Sequence, residues 1–149
     1  MQGLFAPGAT LSQPPDIDDL AALVDLVATR SEVFLRYSEG PNADARAGPS
    51  RDYEADVDLS GLSVTTVEPE PWWPRATIQW TARRLFKYAE LGDAEGRYPW
   101  LLTGDIAGYG PDHEPLLVNV RPLARITPPL LDQARTVYEQ HFHVGKNST

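Results

Sequence analysis

The strongest constraint on the fold comes from two strand-like runs, residues 98–106 and 116–126, joined by Ala107-Gly108-Tyr109-Gly110-Pro111-Asp112-His113-Glu114-Pro115. Two glycines and two prolines make that join a shaped connection rather than a periodic segment. Two further β-prone runs precede it. In Val33-Phe34-Leu35-Arg36-Tyr37 the period of two sets Val33, Leu35 and Tyr37 on one face and Phe34 with Arg36 on the other. In residues 61–67, Leu62, Val64 and Thr66 share one face and Ser63, Thr65 and Val67 the other.

Helical spacing occupies the rest. Leu20, Leu23, Val24 and Val27 fall at i, i+3, i+4, i+7 and predict a helix to about Thr29, with Asp16 or Asp18 as its N-terminal acceptor. Ile78, Ala82, Leu85, Phe86 and Ala89 predict a second helix with Arg83, Arg84 and Lys87 on its polar side and Gly92 as C-terminal cap. Thr127-Pro128 opens a third, carrying Leu130, Leu131, Ala134, Val137, Tyr138 and Phe142. Between the second helix and the strand before it, Pro69, Pro71 and Pro74 exclude a continuous helix. Residues 38–59 lack periodicity and gather Gly40, Pro41, Asn42, Asp44, Gly48, Pro49 and Ser50, which predicts a long functional or mobile loop.

The strands are too few for a doubly wound sheet, and no glycine-rich phosphate loop follows any of them. The expected architecture is therefore α+β: a single domain with a mostly antiparallel sheet flanked by about three helices. Residues 1–15 are expected as a flexible arm, 16–142 as the domain and 143–149 as a flexible tail.

Composition narrows the chemistry. With 149 residues, 42 % hydrophobic and 23 % charged, the chain suits one globular domain. No apolar stretch is long enough to cross a membrane and no signal-peptide pattern opens the chain, so a cytoplasmic location is expected. The absence of cysteine removes disulfides, thiolate metal sites and a cysteine nucleophile. Of the net charge of −8, residues 1–60 carry −7 (eleven acids, four bases) and residues 61–149 carry −1 (ten acids, nine bases). Such an acidic chain, with no basic cluster longer than Arg83-Arg84, is not expected to bind nucleic acid.

Candidate chemistry is sparse. His113, His141 and His143 do not form a ligand pattern, so no metal is expected. No serine lies in a nucleophile elbow. What remains is Arg36 on one strand, Ser63 and Thr65 on a hydroxyl-lined strand face, and Asp112-His113-Glu114 before another strand. Trp72 and Trp73, between prolines, and Tyr109, between glycines, are candidate aromatic walls for a ligand.

This order resembles the core of ADP-ribosyltransferases, which pair an arginine strand, a Ser-Thr-Ser type strand and a Glu or Gln two residues before a catalytic Glu. The resemblance implies NAD as cofactor, Glu114 as the carboxylate that stabilises an oxocarbenium-like centre, Arg36 as the phosphate-pairing or site-ordering group and Ser63 as the ribose-positioning hydroxyl. Asp112 stands at the preceding Glu or Gln, and Val64 at the middle hydroxyl. A second set of residues is similar to a family of small uncharacterised bacterial proteins. It comprises Gly61-Leu62-Ser63, Glu70-Pro71-Trp72-Trp73, Ala82-Arg83-Arg84-Leu85 and Gly110-Pro111-Asp112-His113-Glu114-Pro115-Leu116, with Val120-Arg121-Pro122, and implies a complete single domain without assigning chemistry.

Each candidate also has a plain structural reading: Arg36 in a salt bridge with an N-terminal acid, the tryptophans as anchors on the core, Arg83 and Arg84 as a solvated helix face with anion binding second, Glu114 as a turn residue. The expected function is a small-molecule or nucleotide-binding domain related to NAD-using ADP-ribosyltransferases. The alternative is a non-catalytic acidic module that binds a protein partner. Whether Arg36 and Glu114 share one pocket separates the two.

Overall fold

A computed structural model describes residues 4–30, 32–91 and 96–142 of the chain. Along these residues run β1 (Asp16–Ile17), α1 (Leu20–Thr29), β2 (Phe34–Ser38), α2 (Pro41–Ala47), β3 (Arg51–Asp52), β4 (Val57–Asp58), β5 (Leu62–Ser63), β6 (Thr65–Thr66), α3 (Thr77–Leu91), β7 (Tyr98–Tyr109), β8 (Pro115–Ile126) and α4 (Pro128–His141). The architecture is α+β as expected, with four helices rather than about three. The predicted cap Gly92 and the tail from His143 lie outside the described residues.

The main sheet runs β1-β8-β7-β2-β6, with β5 also paired to β8, on the edge away from β7. All its pairings are antiparallel except the short β1–β8 contact. The run expected as one strand at 61–67 is divided: Leu62 and Ser63 pair with β8, whereas Thr65 and Thr66 pair with β2. Only Val64 separates the two, so this short stretch bonds to both ends of the β8-β7-β2 array and the sheet curls onto itself. Register shifts along β7–β8, at Leu101/Leu102, Thr103/Asp105 and Ile106/Gly108, supply the bending that a curled sheet requires.

The two faces of the sheet carry separate cores, as the alternation in β2 predicts. Phe34, Leu62, Val64, Trp100, Leu102, Leu117 and Val120 bury one face against one another. Val33, Leu35 and Leu101 turn to the other face, where Leu20 and Leu23 of α1, Leu85 of α3 and Leu130 of α4 cover them. Each such side chain contributes about 1.5–3 kcal/mol on leaving water. Gly61 permits the closure at β5: a Cβ there would lie 2.5 Å from the Leu117 carbonyl oxygen, so no larger residue fits without moving the strand.

Three further expectations change. Residues 4–6, expected within a flexible arm, bond to β8: Val120 N–H donates to Leu4 O and Ala6 N–H to Val120 O, at 3.1 and 2.9 Å. The segment 38–59, expected without regular structure, contains α2 and the β3–β4 hairpin. Neither Asp16 nor Asp18 caps α1. Its first N–H, from Leu20, donates instead to Gln133 Oε1 of α4 at 2.7 Å. Such long-range capping couples two helices, and Gln133→Ala is expected to lower stability by about 1 kcal/mol, read as a reduced denaturant midpoint with unchanged m-value. A midpoint equal to that of the unaltered chain would show that the bond carries no stability.

Candidate functional site

Arg36 emerges from β2 toward α2 and is clamped. Its Nε and Nη2 donate to Oδ2 and Oδ1 of Asp44 at 2.7 and 3.1 Å, while Nη1 donates to the Ser63 carbonyl oxygen at 2.8 Å. This bidentate geometry is the strong form of an arginine–carboxylate pair. Asp44 is 6 % exposed, and its Oδ2 also accepts from Ser38 Oγ at 2.7 Å. The Ser38 hydroxyl in turn accepts from Trp100 Nε1 and from Gly40 N–H, at 3.0 and 3.1 Å. Every polar group in this buried cluster thus has a partner. Gly40 is required where it stands, because its φ is +109° and a Cβ would lie 2.3 Å from the Tyr98 hydroxyl. Burial pushes the Tyr98 phenol above its ordinary range, against the opposing pull of Arg125.

The loop between β7 and β8 presents Glu114. Gly110 N–H donates to Glu114 O at 2.8 Å and His113, with φ of +63°, donates its N–H to Gly110 O at 2.9 Å. These bonds fold the Gly-Pro-Asp-His-Glu segment into a tight turn. The Glu114 carboxylate then accepts from Ser63 Oγ at 3.0 Å and from Asp112 N–H at 3.0 Å. Gly110 leaves room for it: a Cβ there would lie 2.5 Å from both carboxylate oxygens.

Arg36 and Glu114 meet on opposite sides of Ser63, one holding its carbonyl and the other its hydroxyl. Together with Thr65, Lys87 and Asp112 they line an open cleft of about 400 Å³. Five residues singled out in the sequence therefore share one concavity. The Arg36 charge is spent on Asp44, however, so the cleft's exposed cation is Lys87, which the sequence reading placed only on the polar side of a helix.

The remaining candidates lie elsewhere. Trp72 lines a second cavity of about 330 Å³, adjoining the first through Thr65 and Lys87, which line both. Trp73 packs edge-on against Trp80 and stacks on Phe142, with centroids 5.1 and 6.4 Å apart, as an anchor of the proline-rich segment. Tyr109 is exposed at the end of β7 and His113 at the turn, and neither lines either cavity. Sequence pattern does not mark Asp44 or Trp80 as site residues. An isolated acid in a Gly/Pro-rich stretch and an aromatic on a helix give no local signal of a partner.

No helix is long and apolar enough to cross a membrane, and no group of three or more His, Asp or Glu side chains converges on a metal position, among the described residues. Residues 10–148 match the model of a family of unknown function (DUF6098). No curated protein and no solved structure matches the chain.

Proposed function

The chain belongs to this family of unknown function, and we propose that it is a small-molecule-binding domain whose cleft takes a nucleotide or a similar anion-bearing compound. The observation that carries this reading is the 3.0 Å bond from Ser63 Oγ to Glu114 Oε2, which aims a carboxylate into a cleft that also contains Lys87. A volume of about 400 Å³ lies within the range of small-molecule sites.

Roles follow from the chemistry of each group. Lys87 attracts the anionic part of the ligand. Glu114 accepts hydrogen bonds from hydroxyl groups and lowers the energy of positive charge developing beside it. Arg36 acts as a positioning residue, because it fixes the Ser63 backbone whose hydroxyl orients Glu114. With NAD as ligand, that placement of Glu114 suits cleavage of the nicotinamide–ribose bond, in which nicotinamide leaves and a water or an acceptor hydroxyl or carboxylate forms the new bond to the ribose carbon, losing any proton it carries to solvent.

Calorimetry with NAD tests the reading. Binding heat is expected for the unaltered chain. Glu114→Gln, which keeps the shape but removes the charge, is expected to weaken binding about tenfold, as for loss of one charge-assisted bond. Nicotinamide release distinguishes a reacting cleft from one that only binds. Absence of heat up to millimolar NAD, with an unchanged thermal midpoint, would remove the proposal.

A further inference from the structure

The second cavity has a composition at odds with the rest of the chain. In a protein with 21 acids and 13 Lys or Arg residues, three cations from consecutive turns of α3, namely Arg83, Arg84 and Lys87, line it and no carboxylate does. None of the three forms an ion pair among the described residues. They lie against aromatic rings instead: the Arg84 guanidinium carbon is 5.3 Å from the Trp80 centroid, that of Arg83 is 5.8 Å from Trp73, and Lys87 Nζ is 5.0 Å from Tyr88.

Two donors in this cavity wall are buried without an acceptor. Arg84 Nε and Trp80 Nε1 are both shut off from solvent and have no hydrogen-bond partner among the described residues, and Trp80 is only 6 % exposed. The other contact of Arg84, from Nη2 to Thr66 Oγ1, is long at 3.4 Å. These two atoms, shut off from solvent, do not themselves touch a ligand; they show that Arg84 has no protein carboxylate as partner among the described residues, so its charge is left for an anion at the cavity-lining part of the guanidinium. The lining is also aromatic. Trp72 is 65 % exposed with its ring 5.8 Å from that of Trp80, and Phe86 stacks on Tyr138 at 4.0 Å.

We propose that this cavity binds a planar aromatic compound bearing a phosphate or carboxylate group, its ring against Trp72 and Tyr138 and its anion against Arg84 and Lys87. The inference goes beyond the ligand-binding reading above: Thr65 and Lys87 line both cavities, but its observations come from α3, Trp72 and Tyr138 and do not involve Glu114.

Quenching of tryptophan fluorescence in the full chain tests it, with four probes: AMP, adenosine, inorganic phosphate and 2-naphthoate. The two aromatic anions are expected to bind at least tenfold more tightly than either adenosine, which lacks the charge, or inorganic phosphate, which lacks the ring. If only one of AMP and 2-naphthoate binds, that one identifies the anion as phosphate or carboxylate and supports the site. Arg84→Met is expected to weaken that binding about tenfold. Lys87→Ala and Trp72→Ala, both at exposed positions, should each weaken it severalfold, with Trp72→Ala read by calorimetry because it removes a reporting tryptophan, and this keeps the test open if Arg84→Met misfolds.

Glu114→Gln is expected to leave aromatic-anion affinity within twofold while altering the response to NAD. Failure of NAD alone therefore counts against the cleft reading and leaves this cavity standing. Binding of neither AMP nor 2-naphthoate, affinities of both no greater than those of adenosine and inorganic phosphate, or unchanged affinity in both Arg84→Met and Lys87→Ala, overturns the proposal.

Discussion

Asp44→Ala is expected to destabilise the protein by about 3 kcal/mol, the lower end of the cost of removing one partner from a buried ion pair. The mechanism is specific. Asp44 receives two bonds from Arg36 and one from Ser38, so its removal strands a partly buried guanidinium and a buried hydroxyl at once. Total stability for a domain of this kind is on the order of 5–15 kcal/mol, so the loss is a large fraction of it. The double variant Arg36→Met/Asp44→Ala, which removes the orphaned charge, should recover part of that loss. Denaturant unfolding of the wild-type chain, both singles and the double forms a cycle that isolates the pair. Additive single effects would show that the two groups do not interact energetically and that Arg36 is held by other means. Because Arg36 also grips the Ser63 backbone, its loss should weaken NAD binding at the cleft while leaving aromatic-anion binding at Arg84 in place.

The position of that pair shows what a sequence can and cannot reveal. An arginine among Val33, Phe34, Leu35 and Tyr37 is conspicuous because a strand of that composition has both faces buried, and a buried cation must have a partner. Alternation identifies the faces correctly: Leu35 meets the helices and Phe34 the opposite core. It does not identify the partner. Asp44 lies on α2, a seven-residue helix rich in Pro, Asn, Asp and Ala, too short for apolar periodicity to register. Its formation depends on Gly40 turning the chain at positive φ and on Asp44 reaching back to β2, a tertiary cause absent from local pattern. The division of residues 61–67 between β8 and β2 is hidden for the same reason, since both halves have one alternation and only the strands they meet differ. Trp72 and Glu114 illustrate the limit at the site itself. Both line concavities, but Lys87 and Thr65 stand where the two cavities join, and chain order carries no information about which cavity a loop residue enters.

The counterpart on the other side of this network is Trp100, and Trp100→Ala is expected to lose about 3–5 kcal/mol, the usual range for truncating a buried large aromatic. Its ring is fully buried within the core formed by Phe34, Leu62, Val64, Leu102, Leu117 and Val120. These residues come from β2, β5, β7 and β8 and from Val64 between β5 and β6, so the cavity left by alanine loosens the closure rather than one contact. Trp100→Phe restores most of the apolar volume but not the bond to Ser38 Oγ, and should cost about 1–2 kcal/mol. Far-UV circular dichroism is the suitable probe, because replacing a tryptophan changes the fluorescence reference. Trp72→Ala, at an exposed ring, should stay within about 0.5 kcal/mol of wild type, which separates a core tryptophan from a cavity wall. Since Trp100 and Asp44 both bond to Ser38, the double variant should lose less than the sum of the singles by about 0.5 kcal/mol or more. Trp100→Ala within about 1 kcal/mol of wild type would contradict the burial and require a second core elsewhere to hold the sheet closed.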